Sequence, residues 1–310
     1  MSNIRAAAET VNGEVPVHST IEETSAWQDF LALIKVGIVN SNMITTFTGL
    51  WLALHFTGMS FLQNLDLVFF ALAGSVFIIA GSCSFNNYYD RNIDHLMERT
   101  KNRPTVTGKV SSSKVLTLSF VLIAIGLVLL AFANITTAII GFIGVFAYIV
   151  LYTMITKRRY VSNTIVGSIS GAIPPLIGWA AVDSNLAVMA WVLFAIMFLW
   201  QPPHFYALAM KRVEEYRAAN IPMLPVVKGF KATKRSIILW VSTLLIVPLF
   251  LTPLGTPFVV LAAILGAGWF ILGLKGLTMK DDIKWARIMF IYSLNYMTIL
   301  FVAMVIVTLI

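Results

Sequence analysis

Nine apolar stretches, each close to the length that crosses a bilayer as a helix, run almost end to end through this chain of 310 residues. They fall at 32–56, 66–88, 115–133, 136–155, 163–182, 187–208, 236–253, 257–274 and 289–309. A hydrocarbon core needs about 20 such residues per helix, and backbone polar groups in lipid must be satisfied inside helices or closed barrels. The pattern predicts an all-α polytopic membrane protein with nine transmembrane helices and no sizeable soluble domain. Composition agrees, with 58% hydrophobic and 12% charged residues against roughly a quarter charged in soluble domains. Wholesale disorder, a disulfide-rich secreted fold and a soluble nucleotide-binding or barrel enzyme are thereby excluded. The single Cys83 has no internal partner, and no CxxC or Cys/His pair offers a zinc or iron–sulfur site.

A net charge of +8 would suit a nucleic-acid binder, so the position of the charges decides its meaning. With the N-terminus in the cytoplasm, the Lys and Arg residues of 89–114, 156–162, 209–235 and 275–288 all fall inside. The outer segments 57–65, 134–135, 183–186 and 254–256 carry none, and Lys35 sits near the inner end of the first helix. That asymmetry is the positive-inside rule. The charge is topogenic, and no nucleic-acid partner is expected. Residues 1–29 set Glu9, Glu14, Glu22, Glu23 and Asp29 against a lone Arg5, which fits neither a signal peptide nor a transit peptide. They are expected to form a disordered cytoplasmic tail ahead of a transmembrane domain over 30–310.

Polar chemistry is concentrated in the inner loops. At the end of the second apolar segment, Asn86, Asp90 and Asp94 recur every four residues, and at about 100° per residue they share one helical stripe. Carboxylate and amide oxygens are hard ligands of the kind Mg²⁺ takes together with phosphate oxygens. Arg91, Arg99, Lys101 and Arg103 follow closely and suit phosphate charge. The same residues also fit a solvated helix end in which acids balance local arginines. Lys157-Arg158-Arg159 reads either as a topology anchor or as further diphosphate-binding charge. It leads into Gly167-xxx-Gly171, a spacing that permits close helix packing, and into Pro174-Pro175, expected to bend its helix. A third block, Trp200-Gln201-Pro202-Pro203-His204-Phe205-Tyr206, places two prolines near the inner end of a helix, where they are expected to mark a kink lining a cavity. His204 there suits a haem-iron ligand, a general base or a structural hydrogen-bond donor. Its aromatic neighbours favour a large, flat or apolar ligand.

Asn86-xxx-Asp90-xxx-Asp94 followed by Arg99-Thr-Lys-Asn-Arg-Pro104 resembles the first aspartate-rich motif of the UbiA superfamily of intramembrane prenyltransferases. Three blocks are similar to its haem-prenylating branch: Asn86 to Asp94, Lys157 to Trp179, and Trp200 to Phe205 together with Ile221-Pro-Met-Leu-Pro225. They occur in order at one topological depth, over about residues 30 to 309. The resemblance implies a UbiA-type helical bundle in the cytoplasmic membrane with its active site on the cytoplasmic side. It implies transfer of the farnesyl group of farnesyl diphosphate to a vinyl group of haem B, with addition of water, giving haem O. Mg²⁺ would be the only cofactor, held by Asn86, Asp90 and Asp94. Arg91, Arg99, Lys101, Arg103, Lys157, Arg158 and Arg159 would bind diphosphate, and His204, Trp200 and Gln201 would face the acceptor. Haem B would be substrate, and a haem A synthase or a terminal-oxidase assembly factor a partner. One departure stands out: branches with aromatic acceptors show a second DxxxD after the sixth helix, where this chain has only Glu214-Glu215.

The alternatives are a prenyltransferase acting on an aromatic or quinone-precursor acceptor, and a transporter or membrane scaffold. Against transport, the acids cluster at the inner surface, whereas coupling sites lie near the bilayer midplane. Orientation is directly testable. A cysteine replacing Arg158 should resist a membrane-impermeant thiol reagent on intact cells, and one appended after Ile310 should react. Ready labelling at position 158 would overturn the assignment of sides.

Overall fold

Hydrophobic length and capping together define the elements. The computed structural model describes residues 24–310, and every element among them is helical. The Ser25 hydroxyl accepts from the Gln28 amide while the Gln28 side chain accepts from the Ser25 amide. This reciprocal capping box starts α1 (Ala26–Ile34). Residues 26–29, expected within the tail, are therefore helical; residues 1–23 lie outside the described residues. Lys35 then takes a left-handed conformation with φ 52°, and α2 (Val36–Thr57) leaves at 51° to α1.

There follow α3 (Leu65–Asp94), α4 (Ser112–Ala133) and α5 (Ile135–Phe146), which continues as a π-helix over Ala147–Thr156. Next come α6 (Asn163–Val182), α7 (Val188–Lys211) and the short α8 (Val213–Ala218). The chain ends with α9 (Leu224–Leu244), running on as a 3₁₀ segment to Leu254, then α10 (Thr256–Lys275) and α11 (Asp282–Ile306). Eight helices among the described residues are long and apolar enough to cross a bilayer, and the bent α1–α2 pair makes a ninth.

The structure departs from the sequence reading in detail. The span expected at 236–253 begins at Leu224, because the helix carries on through polar residues and turns at Gly229, whose φ of 73° breaks its dihedrals. The paired prolines Pro174-Pro175 and Pro202-Pro203 sit inside α6 and α7, which continue on either side of them.

Helix α6 is the hub, packed against α2, α5 and α7, while α7 contacts α9 and α11, and α11 closes back onto α2. At the α2–α6 crossing the backbones touch. A Cβ on Gly178 would stand 1.9 Å from the Thr46 carbonyl oxygen, and one on Gly49 would stand 2.1 Å from that of Pro175. The expected Gly167-xxx-Gly171 face is real but serves side chains: Gly171 lies against the Gln201 amide and Gly167 against the Tyr152 ring. Trp179, Trp269, Trp285, Phe258 and Phe301 fill the interior, while Phe120, Phe132 and Phe142 face outward on α4 and α5. At one end of the bundle Met97, just after α3, packs with Ala209 of α7 and with Ala219, Ile221 and Met223 from the α7–α9 connection. The two loops singled out by their chemistry are thus joined.

The α2–α6 crossing generates a stability prediction. Gly178→Ala should lower the thermal midpoint in detergent, at a cost of about 1–3 kcal/mol for overpacking. Gly37→Ala, with open space around its Cβ, should be neutral or slightly stabilising. Equal midpoints for both variants would contradict the close crossing.

Candidate active site

The last turns of α3 bury three polar side chains almost completely: Asn86 is 2% exposed, Asp90 0% and Asp94 1%. Buried polar groups require partners, and four cations from three other segments supply them. The Asp90 carboxylate accepts from Lys157 Nζ, from Arg158 Nη2 at 2.9 Å and from Asn86 Nδ2 at 2.8 Å. Arg158 also donates to the Tyr89 carbonyl at 2.7 Å and lies 4.8 Å from the centre of the Tyr89 ring. Asp94 accepts from Arg103, and the side-chain oxygen Oδ1 of Asn86 accepts from Lys35 Nζ.

Each cation is delivered by a local backbone device. The π-helix widens the turn by i→i+5 bonding, with the Lys157 amide donating to the Tyr152 carbonyl at 2.8 Å. This sets Lys157 and Thr153 toward α3, where Thr153 Oγ1 accepts from Asn86 Nδ2 at 3.3 Å. Arg103 is turned back by Thr100, whose hydroxyl donates to the Asp94 carbonyl at 2.7 Å. Lys35 reaches Asn86 from the α1–α2 break. The neighbouring Asn87 secures that break, donating to the Ala32 and Leu33 carbonyls at 3.2 and 2.9 Å. These carbonyls lie in the last turn of α1, where helical partners run out; that of Ala32 also accepts from the Lys35 amide at 3.3 Å.

Lys35, Arg103, Lys157 and Arg158 outnumber Asp90 and Asp94 by two charges. Largely withdrawn from water, where screening is weak, that excess favours a polyanion. Among the described residues no group of three or more His, Cys, Asp or Glu side chains is arranged to hold a metal. What α3 offers is two carboxylates and an amide oxygen. Such a hard-oxygen set fits Mg²⁺ when phosphate oxygens complete its shell, the usual arrangement for that ion.

The other basic residues expected here are not drawn in. Arg91 donates to the Tyr88 carbonyl at 2.6 Å and sits over the Tyr88 ring. Lys101 pairs with Glu98 at 2.7 Å, and Arg99 and Arg159 are exposed without an ion pair to either aspartate. Glu214 and Glu215 pair with Arg217 and Arg212, their neighbours in and beside α8.

His204 belongs to a second cluster, between α7 and α11. Its ring lies between Trp200, centroids 4.5 Å apart, and Phe290 at 4.7 Å, both nearly parallel to it. Nδ1 is 2.7 Å from Ser293 Oγ, and the Trp200 indole donates to the Ser293 carbonyl at 2.8 Å. Gln201 donates to the Ser168 and Met197 carbonyls at 3.1 and 3.0 Å and so ties α6 to α7. Sequence reasoning passed over Lys35, Thr153 and Ser293. Lys35 had left a signal, as the only cation in its apolar segment, where charge is costly enough to imply a role. The two hydroxyl residues left none, because helical Ser and Thr bond to their own preceding turn by default.

Residues 42–294 match the UbiA prenyltransferase family. Protoheme IX farnesyltransferase 2 of Bacillus subtilis (strain 168) is 62% identical over 296 residues, covering 96% of this chain and 97% of its own. Protoheme IX farnesyltransferase of Bacillus pumilus (strain SAFR-032) is 58% identical over 309 residues, 100% of both chains. Among solved structures, that of digeranylgeranylglyceryl phosphate synthase in membranes superposes with a TM-score of 0.73 at 22% identity, covering 91% of this chain and 98% of that one. A UbiA homolog from Archaeoglobus fulgidus bound to GPP and Mg²⁺ gives 0.61 at 15% identity, covering 89% and 99%. At such identities the structures report a shared fold.

The hinge at Lys35 can be tested apart from turnover. Asn87→Leu removes the side-chain cap of α1, on the order of 1 kcal/mol. Backbone amides from Phe30 to Val39 should then exchange about fivefold faster with deuterium, with α11 unchanged. Unaltered exchange at the hinge would show that Asn87 does not secure it.

Proposed function

This chain belongs to the UbiA prenyltransferase family, and we propose that it transfers the farnesyl group of farnesyl diphosphate to a vinyl group of haem B, with addition of water, to make haem O. The observation that carries this reading is near-full-length identity of 58–63% to relatives named protoheme IX farnesyltransferase. The region responsible is residues 30–310, in the cytoplasmic membrane with the aspartate end of the bundle facing the cytoplasm; the basic-residue asymmetry supports that orientation. Haem supply makes a haem A synthase or a terminal-oxidase assembly factor the expected partner class.

In the reaction, the C1–O bond of the farnesyl group breaks and its electron pair leaves with diphosphate. The π pair of the haem vinyl group forms the new bond to C1, and water adds to the carbon left electron-deficient, releasing a proton. Asp90, Asp94 and Asn86 are the ligands assigned to Mg²⁺, which when bound supplies a Lewis acid that neutralises charge on the leaving diphosphate. Lys35, Arg103, Lys157 and Arg158, now shared with those side chains, supply fixed positive charge where negative charge develops. Arg91, Arg99, Lys101 and Arg159, around the rim, raise the local concentration of the anionic donor by longer-range attraction. The apolar bundle keeps water from the allylic carbon until it meets the vinyl group.

His204 and Trp200 are assigned to the haem side, His204 either ligating iron or orienting the macrocycle, and Gln201 supports them by holding α6 against α7. An aromatic acceptor is less well supported, since Glu214 and Glu215, which stand where other branches carry a second DxxxD, already hold arginines.

Asp90→Ala and Asp94→Ala should each lower turnover of farnesyl diphosphate, followed as released diphosphate, by about 100-fold or more, since several kcal/mol of charge stabilisation depend on the metal. Asn86→Ala should do less harm, and excess EDTA should stop the reaction. Turnover that survives both aspartate changes, or EDTA, would leave the motif as a structural ion-pair cluster that holds no metal.

A further inference from the structure

The Ser293 hydroxyl lies 2.6 Å from the Phe290 carbonyl oxygen and 2.7 Å from His204 Nδ1. Both separations are hydrogen-bond lengths and each needs a proton between its atoms. Serine has one proton to give. The carbonyl can only accept, so that proton goes to Phe290, and the bond to His204 must be donated by Nδ1–H. A neutral imidazole held this way carries its lone pair on Nε2. No described residue hydrogen-bonds to Nε2, and unlike the Trp269 N–H or the Tyr296 hydroxyl it is not an atom sealed from access. The ring cannot swing to offer Nδ1 instead, because Trp200 and Phe290 cover its faces, and Trp200 is itself bonded to the Ser293 carbonyl.

We infer that Ser293 is a positioning residue that fixes His204 in the Nδ1–H tautomer and presents Nε2 to the iron of the haem substrate. This rests on the haem reading above and resolves which of the two roles left to His204 applies. It follows the general construction of metal-binding histidines, whose second ring nitrogen donates to an oxygen that sets tautomer and orientation. Here that oxygen comes from a different helix, so α11 controls a ligand carried by α7.

The test is titration of the purified full-length protein in detergent with haem B, following the Soret band and the spin state of the ferric iron, with metal-free protoporphyrin IX as a second ligand. Wild type should show nitrogen ligation. His204→Ala should lose it. Ser293→Ala should weaken haem B binding about tenfold, at the lower end of what loss of an outer-shell partner costs, and shift the spin state. It should leave protoporphyrin binding within about twofold, and Ser293→Thr should restore the wild-type spectrum. Equal weakening of haem B and protoporphyrin in Ser293→Ala would mean that Ser293 only supports packing, and would overturn the inference. A wild-type spectrum in Ser293→Ala, with ligation lost in His204→Ala, would overturn the tautomer role while leaving His204 on the haem side. An unaltered spectrum in a folded His204→Ala would overturn iron ligation itself. The prenyl-transfer reading would stand or fall separately, on whether the wild-type protein converts haem B to haem O.

Discussion

A carboxylate without exposed surface at the end of a membrane helix persists only if charge is brought to it, and Asp90 receives Lys157 and Arg158 from the far end of a π-helix. Removing one partner of such a buried pair typically costs about 3–5 kcal/mol, because the other charge is left unpaired. The pairing therefore constrains more than two side chains. It holds the end of the α5 span against α3, and it explains why that span adopts the wider π turn over Ala147–Thr156. An α-helical ending would rotate Lys157 away from the site.

The cluster also joins parts of the chain that contribute nothing else to it. Lys35 and Asn87 couple the α1–α2 break to α3, and Thr100 and Arg103 fold the next loop back over Asp94. Met97 then seats this loop on Ile221 and Met223. What results is a buried polar patch with more positive than negative charge, at one end of an apolar bundle. A diphosphate on an isoprenoid tail has the complementary form: one end needs charge and the other needs lipid-like surroundings. The cluster around His204 is assembled from a different helix pair, α7 and α11.

The helix count, the all-α class and the stripe of Asn86, Asp90 and Asp94 were legible in the sequence, because hydropathy and helical period are local properties. What escaped were relations between distant segments. Nothing near Lys35 announces that it will face Asn86, and the spacing of Lys157, Arg158 and Arg159 cannot say that the first two reach Asp90 while the third stays exposed. The helix extension to Leu224 was missed for a different reason: hydropathy marks where lipid ends, and helices do not have to end there. Trp200, Gln201 and His204 were singled out together, yet the indole and amide protons of the first two are taken by backbone carbonyls, while His204 keeps a ring nitrogen with no partner among the described residues.

The measurement closest to the central claim is the mass of the haem product. Membranes carrying this chain, given haem B, farnesyl diphosphate and Mg²⁺ in ¹⁸O-labelled water, should yield a haem heavier by one farnesyl group and one hydroxyl, with the label in that hydroxyl. Unmodified haem B beside a farnesylated aromatic or quinone precursor would contradict the assignment of the acceptor, and no prenylated product of any kind would contradict the prenyl-transfer chemistry itself.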